Sequence, residues 1–432
     1  MGICFENRNK NENNNMGAAL PIISSSLPES LELKTPINNT EASKPRKELP
    51  EVKDQNIQKR ENIIKMKFFI GENDVNNPVK ILFNVKEAIK GCDMRKLNET
   101  NTELYINNEK IIYTPYFIPE KIGIYNIQLK INIKMEGLSG LFYDLYYLLS
   151  LDLSSFDFSD ATHIDNMLYN CQLLQYLNLS SFNAPKLTNM KDFFSSCTYL
   201  KELDLSSFNA PNVTDMSYMF SNCNELKKIN ISSFKAPKVS NMSYMFSNCY
   251  KLKTVDLSSF SASNATDMSC MFSNCNQLEN VNLSSFNAPK LTNMRSMFSG
   301  CYNLKELDLS SFSTPNVTNM NSMFSNCKQL EKINLYAFKA HNVTDMTCMF
   351  ENCEKLEKIN LSSFNAQKVS NMTYMFENCN KLKVLDLSSF NTQNLKKFDY
   401  MFEGCNNLER VILSVEGSKI KEQLDYHKVI FI

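Results

Sequence analysis

The chain has 432 residues, and Lys+Arg and Asp+Glu both stand at 46, so its formal net charge is zero. Without a basic excess it lacks the electrostatic footprint that phosphate backbones require, and no nucleic-acid partner is expected. Only 3 His are present, so the commonest metal and acid–base designs lack their preferred residue, whereas 14 Cys and 22 Met need another explanation.

Residues 1–60 are rich in Asn, Ser, Pro and mixed charge, a composition that predicts a disordered tail. The chain opens Met1-Gly2-Ile3-Cys4. Gly2 is a candidate for myristate and Cys4 for palmitate, and two acyl chains together anchor a protein stably to a membrane. Glu6 replaces the Ser or Thr usual in such a motif, and an ordinary soluble tail is the alternative. No signal peptide is visible, and no run of 18 apolar residues predicts a membrane span.

Residues 62–135 predict a small β-rich module. Ile63 to Ile70 and Val79 to Phe83 read as strands, and Glu103 to Tyr113 as a hairpin around Asn107-Asn108. Tyr125, Ile127, Leu129, Ile131 and Ile133 alternate with polar residues, as in a half-buried strand. Such a module would shield the first repeat of the array that begins at 138, or serve as a separate binding domain.

From 138 to 413 the chain repeats. Cys171, Cys197, Cys223, Cys249, Cys275, Cys301, Cys327, Cys353, Cys379 and Cys405 follow one another at steps of 26 residues, as does a Phe series from Phe156 to Phe390. So strict a period predicts a stacked array. One unit, Leu200 to Glu225, reads LKELDLSSFNAPNVTDMSYMFSNCNE. Leu200, Leu203 and Leu205 place one face of a short strand inward. Ala210-Pro211 break the strand. Thr214 and Asp215 are helix-capping types, and Met216, Met219 and Phe220 follow at i, i+3, i+4, which predicts a turn or two of helix. Asn222 supplies a left-handed stop, a slot held elsewhere by Asn170, Ser196, Asn248, Asn274, Gly300, Asn326, Asn352, Asn378 and Gly404. The expected fold is therefore an α/β solenoid: one parallel β-sheet, with short helices opposite.

Leu138, Leu141, Phe142 and Leu145 match the second half of a unit, so the array begins with a half repeat. Residues 414–432 leave the period and predict a C-terminal cap over the open edge. The Met and Phe slots read as core. The Cys column reads as small buried hydrophobes in reduced form, which suits the cytosol better than an oxidising compartment; disulfides between neighbouring slots, near enough by distance alone, are the alternative. Cys270 and Cys348 occupy a slot held elsewhere by Tyr218, Tyr244 and Tyr374, and are expected to be partly exposed.

Three strand slots per unit point outward. The middle one nearly alternates acid and amide, from Asp152 and Asn178 to Asn360 and Asp386, so that like charges on neighbouring strands are kept apart. A row of metal ions is the alternative, but the Gly-turn loops of oxygen-ligand sites are missing. No cofactor or metal is expected. The first outward slot varies: Tyr176, Glu202, Lys228, Thr254, Asn280, Glu306, Lys332 and Lys358. Variation on a repeated frame is where a solenoid recognises partners, and Tyr336 adds an outward aromatic anchor where other units carry Ser.

The unit L-x-x-L-D-L-S-S-F-x-A-P-x-V-T-x-M-x-x-M-F-x-x-C resembles the BspA-like leucine-rich-repeat family, and Leu200 to Cys223 match every slot. The resemblance covers roughly Leu138 to Leu413. It implies a leucine-rich-repeat coil with surface, adhesion or protein-binding roles and no catalytic residues to carry over. With no nucleophile–base pair in sequence, a non-enzymatic interaction scaffold is expected, in the cytoplasm or at the cytoplasmic face of a membrane. The alternative is a cell-surface adhesin.

Overall fold

Alternation in the first described strand sets the architecture. In β1 (Asn62–Ile70), Ile64, Met66, Phe68 and Ile70 are buried while Lys65 and Lys67 face out. The computed structural model describes residues 62–83, 92–424 and 429–431, except positions 235, 259 and 285. All fall in one unit, Lys47–Ile432.

The N-terminal part comprises β1, β2 (Val79–Lys80), β3 (Thr102–Ile106), β4 (Glu109–Ile111), β5 (Tyr116–Phe117) and β6 (Gly123–Ile131). Asn107 and Asn108 both take positive φ, 50° and 72°, as a two-residue hairpin turn requires, and join β3 to β4. The strand expected over Val79–Phe83 is shorter: only Val79–Lys80 pairs, with β5, while Ile81, Leu82 and Phe83 are buried as a bend.

β1 pairs antiparallel with β6 on one side and with β7 (Leu148–Ser155) on the other. One sheet of order β4-β3-β6-β1-β7-β8 thus runs into the repeats, β8 being Tyr176–Asn178. Phe68 packs on Tyr147, ring centroids 4.9 Å apart, at this junction.

The repeats form a parallel β-solenoid. From β8 to β17 (Arg410–Leu413) each coil gives a strand of two to four residues. Glu202–Asp204 pairs parallel with Lys228–Asn230, Thr254–Asp256 with Asn280–Asn282 and Glu306–Asp308 with Lys332–Asn334, each in register at 26 residues, and Lys358–Ile359, Val384–Asp386 and Arg410–Leu413 form a last group, so the expected single sheet is a row of short parallel ladders. The apolar residues of one coil, Leu200, Leu203, Leu205, Phe208, Val213, Met216, Met219, Phe220 and Cys223, are all buried, none above 6 %. Phenyl rings stack coil on coil, from Phe194–Phe220 at 5.4 Å to Phe376–Phe402 at 6.0 Å. β18 (Val429–Phe431) extends the sheet parallel to β17.

Opposite the sheet, the expected short helices do not form. Among the described residues the only helices are three 3-10 segments, Glu72–Asp74, Asp93–Lys96 and Val415–Gln423, none inside a full repeat. No described helix is long and apolar enough to cross a membrane. Each coil instead makes two consecutive tight turns. Met219, Ser221 and Cys223 donate backbone N–H to carbonyls three residues back, whereas Met216, Tyr218, Phe220 and Asn222 donate to Asn241, Ser243, Met245 and Ser247 of the next coil. A helix would close all these bonds on itself. Here four of these seven bonds run between coils, each with a net worth of about 1 kcal/mol.

Two left-handed residues make this geometry. Asn222 has φ 60°, and the whole Asn222 column takes positive φ, as its Asn and Gly residues predict; Ser196, which departs from that rule in type, takes φ 62° as well. The second column, four residues earlier, does not look like turn sequence: Asn166, Asp192, Tyr218, Tyr244, Cys270, Ser296, Ser322, Cys348, Tyr374 and Tyr400. In the half repeat the two positions are Gly140 (φ 64°) and Asp144 (φ 61°).

The cysteine column is buried and free of disulfides among the described residues. It does more than fill space. The Cys223 thiol donates to the Phe194 carbonyl of the previous coil at 3.2 Å, and Cys171 to Phe142 at 3.1 Å. The same bond recurs at every step to Cys405. The half repeat has no solenoid coil before it to supply that carbonyl, and Leu145 occupies its slot. Cys270 and Cys348, expected to be partly exposed, are 7 % and 0 % accessible. A thiol is too short to reach out of a slot from which tyrosine does, and Cys270 lies against the Tyr244 phenol.

Candidate interaction surface

The sheet face is built from strands too short to leave much choice of side-chain direction. Glu202 and Asp204 face out and Leu203 is buried between them, and the same exposed–buried–exposed pattern marks Thr254–Asp256, Asn280–Asn282 and Glu306–Asp308. Pairing in register at 26 residues then aligns each outward slot in a column.

The middle column is structural. Each Asp or Asn accepts, through Oδ1, the backbone N–H two residues on: Asp204 from Ser206 at 2.8 Å, Asn230 from Ser232 at 3.2 Å, Asp308 from Ser310 at 2.9 Å. This Asx turn bends the chain out of the strand. Asn230 also donates Nδ2 to Asp204 Oδ1 at 3.1 Å, so amide and acid are bonded across coils. Hydrogen bonds from Ser258 hold the Asp256 carboxyl below the usual range. These oxygens face their own backbone, and no three or more His, Cys, Asp or Glu among the described residues form a group able to hold a metal.

The first outward column brings the expected recognition residues together. Tyr176, half-buried, stands opposite Ser150 in register; Glu202, Lys228, Thr254, Asn280, Glu306, Lys332 and Lys358 are exposed. Neighbours partly neutralise each other. Lys228 lies 3.5 Å from Glu202, and Lys332 lies 2.7 Å from Glu306, whose carboxylate raises the Lys332 ammonium above its usual range. Exposed pairs of this kind stabilise by about 0–1 kcal/mol, so they set the charge pattern more than the stability. Lys358 stands between Lys332 and Val384 in that column and has no such partner among the described residues.

Tyr336 is 78 % exposed, the highest value among the large hydrophobic and aromatic side chains described. Its backbone N–H is held by Asn334 Oδ1 at 3.2 Å, so the ring projects from a fixed turn. Gly2 and Cys4 lie outside the described residues.

Sequence reasoning missed Lys355 and Lys381. They sit three residues before the first strand slot, yet with Lys332 and Lys358 they line one hollow on this face. The signal was the column Gln329, Lys355, Lys381, which becomes visible only when residues outside the strands are also read at the 26-residue step.

A family model described as "Mycoplasma protein of unknown function, DUF285" matches four overlapping stretches, residues 136–255, 197–307, 241–359 and 330–425. Among solved structures, a leucine-rich repeat protein from Eubacterium ventriosum ATCC 27560 is 21 % identical at a TM-score of 0.34, over 51 % of this chain and 57 % of the other. A TLR13–ssRNA13 complex is 16 % identical at 0.18, over 63 % of this chain and 52 % of the other. The chain thus spans little more than half the length of either. No curated protein matches.

Proposed function

The chain belongs to the DUF285 family, and on that premise we propose that it is a non-enzymatic protein-interaction scaffold of the BspA-like leucine-rich-repeat kind, binding through its sheet face. One observation carries the reading: a rigid frame repeats while the exposed column from Glu202 to Lys358 varies, with Tyr336 standing out of a field of serines. A stacked array keeps such a surface preorganised, which lowers the ordering cost of association.

The test is site-specific photocrosslinking in cells that make the protein. A crosslinker at Thr254, Asn280 or Lys358 should trap a partner protein, and one at Asn212 or Asn264 on the loop side should not. Adducts confined to the loop side would overturn the reading.

Two placements belong to the proposal. One is attachment to the cytoplasmic face of a membrane by acylation of Gly2 and Cys4, tested by mass spectrometry of the N-terminal peptide. The other is display as an adhesin at the cell surface, tested by protease shaving of intact cells.

A further inference from the structure

We propose that the hollow spanning Lys332 to Lys381 is a docking site for an acidic segment of a partner protein. This rests on the reading of the sheet face as an interaction surface and names the chemistry one part of it would take.

Four lysines line the hollow, Lys332, Lys355, Lys358 and Lys381, against two carboxylates, Glu331 and Glu357. Of the four, only Lys332 makes an ion pair among the described residues, with Glu306. Lys355, Lys358 and Lys381 therefore present cationic charge that the protein does not neutralise at close range. The floor changes at the same place. Along the middle column acid and amide alternate except once, where Asn334 is followed by Asn360 and no carboxylate intervenes between Asp308 and Asp386. Two successive coils thus lack the acid that would repel an anionic ligand. Exposed Tyr336 lies on the first of these coils, past the end of the strand that begins at Lys332, and is not part of the hollow's lining.

The charge pattern favours a peptide over a nucleic acid. A phosphodiester strand carries a charge at every nucleotide and would meet Glu331 and Glu357 as well as the lysines. Carboxylates on an extended peptide can be spaced to meet lysines on successive coils, while its backbone N–H groups face the two glutamates.

The probe is a fluorescein-labelled peptide of alternating Glu and Gly, titrated with the full chain by anisotropy. Binding should weaken about tenfold or more in the Lys355→Glu/Lys358→Glu double variant, and should fall as ionic strength rises from about 0.05 to 0.3 M. A Lys201→Glu/Lys227→Glu control at the far end of the array should bind within about twofold of the parent. Circular dichroism and melting of both variants should match the parent, since none of the four lysines is buried. No binding by the parent, equal loss in the two double variants, or tighter binding of single-stranded oligothymidylate than of the peptide would each overturn the inference. None of these outcomes alters crosslinking at Thr254 and Asn280, outside the hollow, so the scaffold reading is judged separately.

Discussion

Gly300 lies so close over Asn274 that a Cβ at position 300 would stand 2.5 Å from Asn274 Oδ1 and 3.3 Å from its Cα. Asn274 Nδ2 in turn donates to Asn248 Oδ1 at 3.0 Å, and Asn248 to Asn222 at 2.8 Å. This run of the asparagine ladder therefore ends under a glycine, whose missing side chain leaves room for the Asn274 amide, and a second run follows from Asn326 to Asn378.

Gly300→Ala should cost about 1–2 kcal/mol, since a Cβ meets both the left-handed backbone at φ 76° and the Asn274 side chain. Gly300→Asn should cost less, because asparagine tolerates that backbone and can donate to Asn274 of the preceding coil, as Asn274 donates to Asn248. Urea denaturation checks this; equal midpoints for parent and Gly300→Ala would refute it.

Phe260→Ala should destabilise by about 3–5 kcal/mol, as truncation of a ring that is 2 % exposed and packed edge-on to Phe234 at 5.9 Å. Tyr336→Ser, at a ring in water, should leave the melting temperature nearly unchanged. A small change for Phe260→Ala would contradict the inward placement of that column.

The thiol column should be inert in the native protein. Burial pushes Cys223, Cys275 and Cys327 up to about 12, so at neutral pH no thiolate is available to react. Iodoacetamide labelling followed by mass spectrometry should modify half-buried Cys92 before any member of the column. The raised native values carry a sign. Above pH 9 the unfolded thiols ionise first, so stability should decline between about 9 and 12. Labelling of Cys275 at the same rate as Cys92 would argue against the buried column.

Asp192 offers a pH test in the acidic range. Burial raises its carboxyl to about 6, against 3.8 in the unfolded chain. Its native form holds the proton longer, so its contribution to stability is complete below pH 3.8 and is lost as pH rises through about 6. Asp192→Asn, which keeps a residue suited to φ 55°, should therefore stabilise by on the order of 1 kcal/mol at pH 7 and hardly at all at pH 3.5. Melting curves at the two pH values decide it; a constant difference would count against the buried carboxylate.

Strict recurrence of Cys, Phe and the Asn222 slot was enough to establish stacking, core membership and the first left-handed residue, because those depend on residue type and period. Alternation across Glu202–Ser206 likewise determined which side chains face out. Helix and double turn could not be told apart by pattern, because two four-residue turns bring Met216, Met219, Phe220 and Cys223 inward at the same spacings as a helix. Tyr218 and Cys270 give no local sign of a left-handed backbone; carbonyls of the following coil select it by accepting their N–H groups. The thiol–carbonyl bond joins different coils, so only the stacked structure could decide it; Lys355 and Lys381 recur at the 26-residue step in the sequence, but only stacking brings them into one hollow with Lys332 and Lys358.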